Sequence, residues 1–141
     1  MTKFSAFLEL KGNSSIQKEK LKFLFCRIFG GTIFTMGVGL KKPVIADNGY
    51  GLFYCRENSF DLHIIYGSYE FKVIELFKDL AKKSKVIIDI GANIGKYTVL
   101  GGVINPGAKI YSVEPEKGNF KILSKNINLN KLKNISLLRL A

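Results

Sequence analysis

Two carboxylates stand where an α/β protein can bind a cationic or hydroxyl-bearing ligand. Asp89 lies near the end of the apolar run Val86–Ile90, and Glu114 directly follows a second strand pattern, Lys109–Val113. A helical pattern over about 96–104 joins the two strands. Strand, tight turn, helix, strand and acidic residue form the layout of a nucleotide-binding βαβ unit. We therefore predict that the chain binds the adenosyl half of a cofactor at the carboxyl edge of a parallel sheet.

The turn after the first strand indicates which cofactor this is. Gly91 and Gly95 border the turn, and Asn93 lies between them. A pyrophosphate-binding turn reads G-x-G-x-x-G, so here a side chain replaces the middle glycine and the last glycine comes one position early. Asp89 would repel a pyrophosphate but attract an ammonium group. S-adenosylmethionine has an ammonium, a sulfonium, a ribose and an adenine, and we predict it as the cofactor, with Glu114 accepting hydrogen bonds from the ribose hydroxyls.

These residues alone also allow three other interpretations. Asp89 and Glu114 could be ordinary solvated acids at strand ends. A nicotinamide-dependent Rossmann oxidoreductase would need a glycine where Asn93 stands. A non-catalytic remnant or partner subunit could keep the beginning of the fold without turnover.

Several segments together resemble the FkbM family of S-adenosylmethionine-dependent methyltransferases. The resemblance is strongest from Val86 to Pro115 and covers about Val44 to Leu140. The segments that carry it are Asp61–Tyr66, Tyr69-Glu70, Asp89–Thr98, Gly107–Glu116, Asn119-Phe120 and Asn126–Asn130.

The resemblance implies a class I, Rossmann-like α/β methyltransferase fold and transfer of a methyl group, usually to oxygen. The acceptor would be a small molecule or a carbohydrate. No catalytic residue can be named. The residues that it implies as cofactor contacts are Asp89, Gly91, Asn93, Gly95 and Glu114, with Tyr97, Thr98 and Glu70 as further candidates.

The chain supplies only part of such a fold. Its strand patterns in the cofactor domain are Val86–Ile90, Lys109–Val113 and Ile135–Leu140. We expect residues 1–82 to form a helical and β-hairpin extension and residues 83–141 to form the N-terminal portion of the cofactor domain. A truncated reading frame, or a split protein completed by a partner chain, would fit this pattern, and the fragment itself could be inactive. Val86–Ile90 is apolar except for Asp89. It is predicted to be buried on both faces in a complete sheet and to form an apolar, unpaired edge without the rest of the sheet.

Composition limits the partners and the compartment. The formal net charge is +11, but 19 of the 22 basic residues are lysines scattered along the chain, so we expect no specific nucleic-acid binding. Cys26 and Cys55 have no metal-binding spacing, and with the single His63 they cannot build a zinc site. Isolated cysteines and the mixed polar and apolar start of the chain favour a cytoplasmic protein.

Ahead of the cofactor unit, the pattern predicts a helix and a hairpin. A possible capping box begins at Ser14, and an amphipathic basic helix follows that could cover the domain or lie on an anionic membrane surface. The apolar segment Ile28–Leu40 has 13 residues, and a bilayer span needs about 20.

The segment after residue 41 reads as β structure. Pro43–Asp47 and Leu52–Cys55 flank an Asn48-Gly49 signal for a two-residue turn. Leu62–Tyr66 reads as a further strand, and a helix follows from Tyr69 and Glu70 to about Lys82. Glu70 could cap that helix, pair with a lysine or point into the cofactor cleft.

Overall fold

The computed structural model of the chain describes residues 42–66 and 70–140. The predicted basic helix after Ser14, the apolar segment Ile28–Leu40, Cys26 and Tyr69 lie outside the described residues. The described elements, in chain order, are β1 Val44–Asp47, β2 Leu52–Cys55, α1 Asp61–Tyr66, α2 Phe71–Ala81, β3 Val86–Ile90, α3 Lys96–Ile104, β4 Lys109–Val113, α4 Lys117–Leu129 and β5 Ile135–Leu138.

A parallel sheet with the order β3-β4-β5 forms the centre of the fold. The predicted strand, helix, strand unit is confirmed, and the register puts Asp89 opposite Ser112 and Ile90 opposite Val113. Because both strands run in the same direction, Gly91 and Glu114 leave the sheet at the same edge.

Helices cover one face of this sheet. Ile87 and Ile110 point toward α2 and α3, where they form a buried cluster with Ala81. Leu123 of α4 and Leu137 of β5 belong to the neighbouring cluster. This side supplies the apolar burial that drives folding of the sheet.

The opposite face of β3 is open in the described part of the chain. Val86, Ile88 and Ile90 are 52, 64 and 80% exposed, so the expectation of a strand buried on both faces is wrong here. Among the described residues, β3 pairs with β4 alone. The alternation follows from the two-residue period of a strand, whose side chains face α3 at every second position only.

The predicted hairpin is confirmed, but its turn is longer than two residues. Asp47 pairs with Leu52, so residues 48–51 connect β1 and β2. The Asn48 side chain determines this conformation, because its Oδ1 accepts hydrogen bonds from the backbone N–H groups of Tyr50 (3.0 Å) and Gly51 (3.2 Å). A polar side chain that bonds its own backbone a few residues on favours this wider turn.

Asn126 of α4 and Asn130, the C-cap residue of that helix, hold the hairpin against the rest of the fold. Asn126 Oδ1 accepts the Tyr54 backbone N–H at 2.7 Å. Asn130 accepts the Leu52 N–H at 2.8 Å and donates to the Leu52 carbonyl at 2.7 Å. The two amides thus satisfy backbone groups on the free edge of β2, as a further strand would.

The predicted strand Leu62–Tyr66 is wrong, because the chain forms helix α1 there. Leu62, Ile65 and Tyr66 are buried, which is the spacing of one helical face. Asp61 at the helix start accepts two hydrogen bonds from the Arg56 guanidinium at 2.9 and 2.8 Å. Asp61 is 1% exposed, and its contact with Arg56 cannot be inferred from the short apolar run.

One core cluster joins the two segments of the expected domain division. Phe53, Leu62 and Tyr66 pack with Ile94 in the turn after β3 and with Val99 of α3. The boundary near residue 82 stays a prediction. Among the described helices, we find none whose length and apolar character would let it cross a membrane.

Candidate cofactor-binding site

The turn between β3 and α3 has an unusual backbone that the sequence makes possible. Gly91, Asn93 and Gly95 have φ angles of 75°, 51° and 93°. Glycine adopts such angles freely, and asparagine is among the few other residues that tolerate them. The N–H groups of Gly91 and Ala92 both donate to the Val113 carbonyl at 2.9 Å, which ties the turn to the end of β4.

The two glycines of this turn face different surroundings. A Cβ atom added to Gly91 would have nothing within 4 Å, whereas one on Gly95 would lie 2.6 Å from Leu123 Cδ1. Gly91 therefore borders open space at the sheet edge, as a ligand-binding position requires. Gly95 is needed for close packing of the turn against α4.

Glu114 holds the turn from the neighbouring strand. Its Oε2 accepts the Asn93 N–H at 2.7 Å, and its Oε1 accepts the Glu116 N–H at 3.0 Å. The residue is 5% exposed. An ionised carboxylate has about four acceptor positions, so these two bonds leave it capacity for a ligand hydroxyl.

Asp89, near the end of β3, faces the first turn of α3. The Thr98 hydroxyl donates to its Oδ2 at 2.5 Å, and the Thr98 and Ser112 hydroxyls are 2.6 Å apart. Burial raises the pKa of Asp89, the hydrogen bonds from Thr98 oppose that rise, and the nearby charge of Glu114 adds to it. The register of β3 with β4 and this electrostatic effect place the two carboxylates near each other at one edge of the sheet.

Glu70 forms an ion pair beside the turn. Its Oε2 lies 2.7 Å from Lys96 Nζ, with the side chain of Lys96 7% and that of Glu70 30% exposed. Glu70 makes no side-chain hydrogen bond that caps α2. Of the three predicted roles, the pairing with a lysine is the one observed.

Tyr97 and Thr98 point into the protein. The Tyr97 ring meets Phe77 of α2 edge-on, with ring centroids 5.1 Å apart and an interplanar angle of 66°. Thr98 is 0% exposed and lies behind Asp89. The assignment of all eight residues as cofactor contacts stays a prediction, and Thr98 is positioned to act through Asp89.

Three supporting residues escaped the sequence reading, namely Ser112, Lys96 and Asn126. Ser112 is a polar residue at an inward-facing position of β4, and this pattern indicates a buried polar contact. Lys96 follows the turn directly, but its partner Glu70 lies far away in sequence. Asn126 donates to the Ile94 carbonyl at 2.8 Å and so links the turn to the hairpin.

The described residues offer no metal centre. Within 42–66 and 70–140, no group of three or more His, Cys, Asp or Glu side chains is arranged to hold an ion. What the site provides is two carboxylates, a helix N-terminus and an open glycine at one sheet edge.

Solved structures share this arrangement of elements. The structure of M. jannaschii TYW2 in complex with AdoMet matches with a TM-score of 0.56 and 22% identity, over 74% of this chain and 46% of that one. A SAM-dependent methyltransferase from Agrobacterium tumefaciens matches with a TM-score of 0.58 and 15% identity, over 72% of this chain and 33% of that one. The complex of aTrm5 and tRNALeu matches with a TM-score of 0.54 and 20% identity, over 74% of this chain and 30% of that one.

The chain therefore spans less than half the length of each of these proteins. No protein-family model matches the sequence, and no curated protein matches it. At these identities the likeness establishes the architecture. The described part of the chain has, in incomplete form, the Rossmann-like α/β fold of class I S-adenosylmethionine-dependent methyltransferases.

Proposed function

We propose that this chain is the S-adenosylmethionine-binding portion of a methyltransferase. The observation that carries the proposal is the pair of carboxylates, Asp89 and Glu114, beside an open Gly91 at the carboxyl edge of the sheet. Bound S-adenosylmethionine would supply an electrophilic methyl group on its sulfonium. The neighbours with the same fold include a protein in complex with AdoMet.

The charges of the site suit this ligand better than a dinucleotide. Asp89 would pair with the ammonium group and Glu114 would accept a ribose hydroxyl. A pyrophosphate would meet two carboxylates whose negative charges already oppose one another. This electrostatic argument disfavours the nicotinamide-dependent alternative.

A finer assignment rests on the motif residues. The Asp89–Thr98 and Gly107–Glu116 segments support an FkbM-like enzyme that methylates an oxygen atom of a small molecule or carbohydrate. We assign no catalytic base. The unpaired, buried thiol of Cys55 supports a cytoplasmic setting.

A nucleic-acid acceptor is the second candidate. The formal net charge of +11 would favour a polyanion. One neighbour in fold is bound to tRNALeu. Binding of a fluorescent tRNA at 150 mM salt, compared with a heparin competitor, would separate a specific site from lysine-driven attraction.

We further propose that methyl transfer requires additional polypeptide beside β3, at its open face and its free edge. Ile88 and Ile90 expose an apolar surface, and the edge of β3 leaves backbone groups without a strand partner among the described residues. A complementing segment would add a strand there, either as further sequence or as a second chain. The isolated chain would then bind the cofactor without turning over.

Calorimetry on the 141-residue chain tests the binding proposal. We expect S-adenosylmethionine to bind and NAD to give no heat of binding. Asp89→Asn and Glu114→Gln should each weaken affinity about tenfold or more, since each removes one charge-assisted contact. Asp79→Asn is the matched control, because its carboxylate lies on the exposed side of α2, 74% exposed.

Three outcomes would contradict the proposal or part of it. Binding of NAD in preference to S-adenosylmethionine would favour an oxidoreductase. Absence of binding by either ligand would favour a non-catalytic remnant. Equal affinity of Asp89→Asn and Asp79→Asn would remove Asp89 from the site.

A further inference from the structure

Two hydroxyl groups are buried in line behind Asp89. Thr98 on α3 and Ser112 on β4 are both 0% exposed. Thr98 Oγ1 lies 2.5 Å from Asp89 Oδ2 and 2.6 Å from Ser112 Oγ. The three side chains therefore form a continuous hydrogen-bonded chain from the interior of the sheet to the site.

The chain of hydrogen bonds has a preferred direction. Each hydroxyl carries one proton, and an ionised carboxylate only accepts. With Asp89 ionised, Thr98 donates to Asp89 and Ser112 donates to Thr98, so every proton has an acceptor. In the part of the chain that the structure describes, Ser112 Oγ has Thr98 as its hydrogen-bond partner, so reversal of the chain would leave the Ser112 proton without an acceptor.

We propose that Thr98 and Ser112 are positioning residues, whose aligned hydroxyls orient the Asp89 carboxylate and hold it in its charged form. The identity of the cationic group that Asp89 would bind rests on the proposed function. The Thr98 hydroxyl and the Thr98 backbone N–H both donate to the Asp89 carboxylate. A carboxylate has about four acceptor positions, so acceptor capacity remains for an ammonium group. The sequence predicts that Thr98 contacts the ligand directly. Its burial indicates instead that it acts on the ligand through Asp89.

The surrounding charges make this support necessary. Burial disfavours the charged form of Asp89, and Glu114 at the end of β4 adds repulsion. The other charged groups at the start of α3 are Lys96 and Glu70, and these pair with each other. The hydrogen bonds from Thr98 are the contribution that lowers the Asp89 pKa.

Carboxyl ¹³C NMR of the 141-residue chain without ligand tests the chain of hydroxyls directly. Thr98→Val keeps the side-chain volume and removes the donor, and we expect it to raise the titration midpoint of Asp89 by about one pH unit. Ser112→Ala should shift it in the same direction by less. Thr98→Ser retains the hydroxyl and should restore the wild-type midpoint.

Val99→Ala is the control for simple loss of packing. Val99 is 0% exposed on the same helix, and its truncation should lower stability without moving the Asp89 midpoint. If Thr98→Val does not fold, the comparison of Ser112→Ala with Thr98→Ser decides the question in the same way. An Asp89 midpoint that is the same in wild type, Ser112→Ala and every folded Thr98 variant would overturn the proposal.

The pH dependence of S-adenosylmethionine affinity gives the second readout. Binding should weaken on acidification as Asp89 is protonated, and this loss should begin about one pH unit higher in Thr98→Val than in wild type. A wild-type chain that binds no S-adenosylmethionine would contradict the proposed function. The ligand-free titration would still decide the role of the two hydroxyls.

Discussion

Replacement of the two turn glycines by alanine should separate backbone strain from steric overlap. Both residues have positive φ, 75° for Gly91 and 93° for Gly95. A non-glycine residue in this region costs about 1–2 kcal/mol. Gly91→Ala should therefore lower the free energy of unfolding by about that amount, because its new Cβ would meet nothing within 4 Å.

Gly95→Ala adds an overlap to the same strain. Its Cβ would lie 2.6 Å from Leu123 Cδ1. Leu123 is 0% exposed, so a shift of its side chain would displace other core atoms. Overpacking of a core costs about 1–3 kcal/mol, and we expect a total loss of about 2–5 kcal/mol from a typical stability of about 5–15 kcal/mol.

Urea unfolding followed by far-ultraviolet circular dichroism measures both losses. The overlap is isolated by Leu123→Val, which removes the δ-carbons. In that background Gly95→Ala should cost less by about 1–3 kcal/mol, whereas the cost of Gly91→Ala should stay the same. A loss for Gly91→Ala as large as that for Gly95→Ala, or the absence of coupling between positions 95 and 123, would refute the assignment of Gly95 to packing.

Three further measurements test other parts of the molecule. The backbone N–H groups of α4 lower the pKa of Glu116, so its charge stabilises the fold above the ordinary carboxyl range and this contribution is lost as the pH falls; Glu116→Gln should unfold at lower urea than wild type at pH 7, and the gap should close as the pH falls below the ordinary carboxyl range. Burial raises the pKa of Cys55 to about 12, so in a Cys26→Ser chain iodoacetamide at pH 8 should label Cys55 only after unfolding, and fast labelling of the native chain would contradict its burial. Ile88 is 64% exposed, so Ile88→Lys should leave stability within about 0.5 kcal/mol and reduce concentration-dependent self-association in light scattering; unchanged association would mean that another surface mediates it.

The unit formed by β3, α3 and β4 could be predicted from sequence because its signals are local. The apolar run Val86–Ile90, the glycine-bordered turn and the strand Lys109–Val113 each follow from a few adjacent residues. The common direction of the two strands then puts Asp89 and Glu114 at one edge. These local signals were enough to predict the fold class and the proximity of the two carboxylates.

Other features depend on contacts between distant residues. Leu62–Tyr66 is too short for its apolar pattern to distinguish a strand from a helix, and the Arg56 guanidinium on Asp61 supports the helix. The need for a glycine at position 95 comes from Leu123 on another helix. The turn sequence contains no information about that neighbour. It therefore does not distinguish a glycine that borders open space from a glycine that is needed for packing.

The geometry of the turn explains how the proposed cofactor binding and the proposed completion of the sheet can be separable. Asp89 faces α3, whereas Ile88 and Ile90, its neighbours along β3, point to the opposite face. The supports of the turn come from the covered side, through Leu123 packing and the Asn126 bond to the Ile94 carbonyl. A charge at position 88 should therefore leave S-adenosylmethionine affinity unchanged, even where it blocks assembly with a complementing segment. Loss of affinity in Ile88→Lys would mean that the open face also shapes the site, and the proposed division between a binding portion and a completing portion would then be wrong.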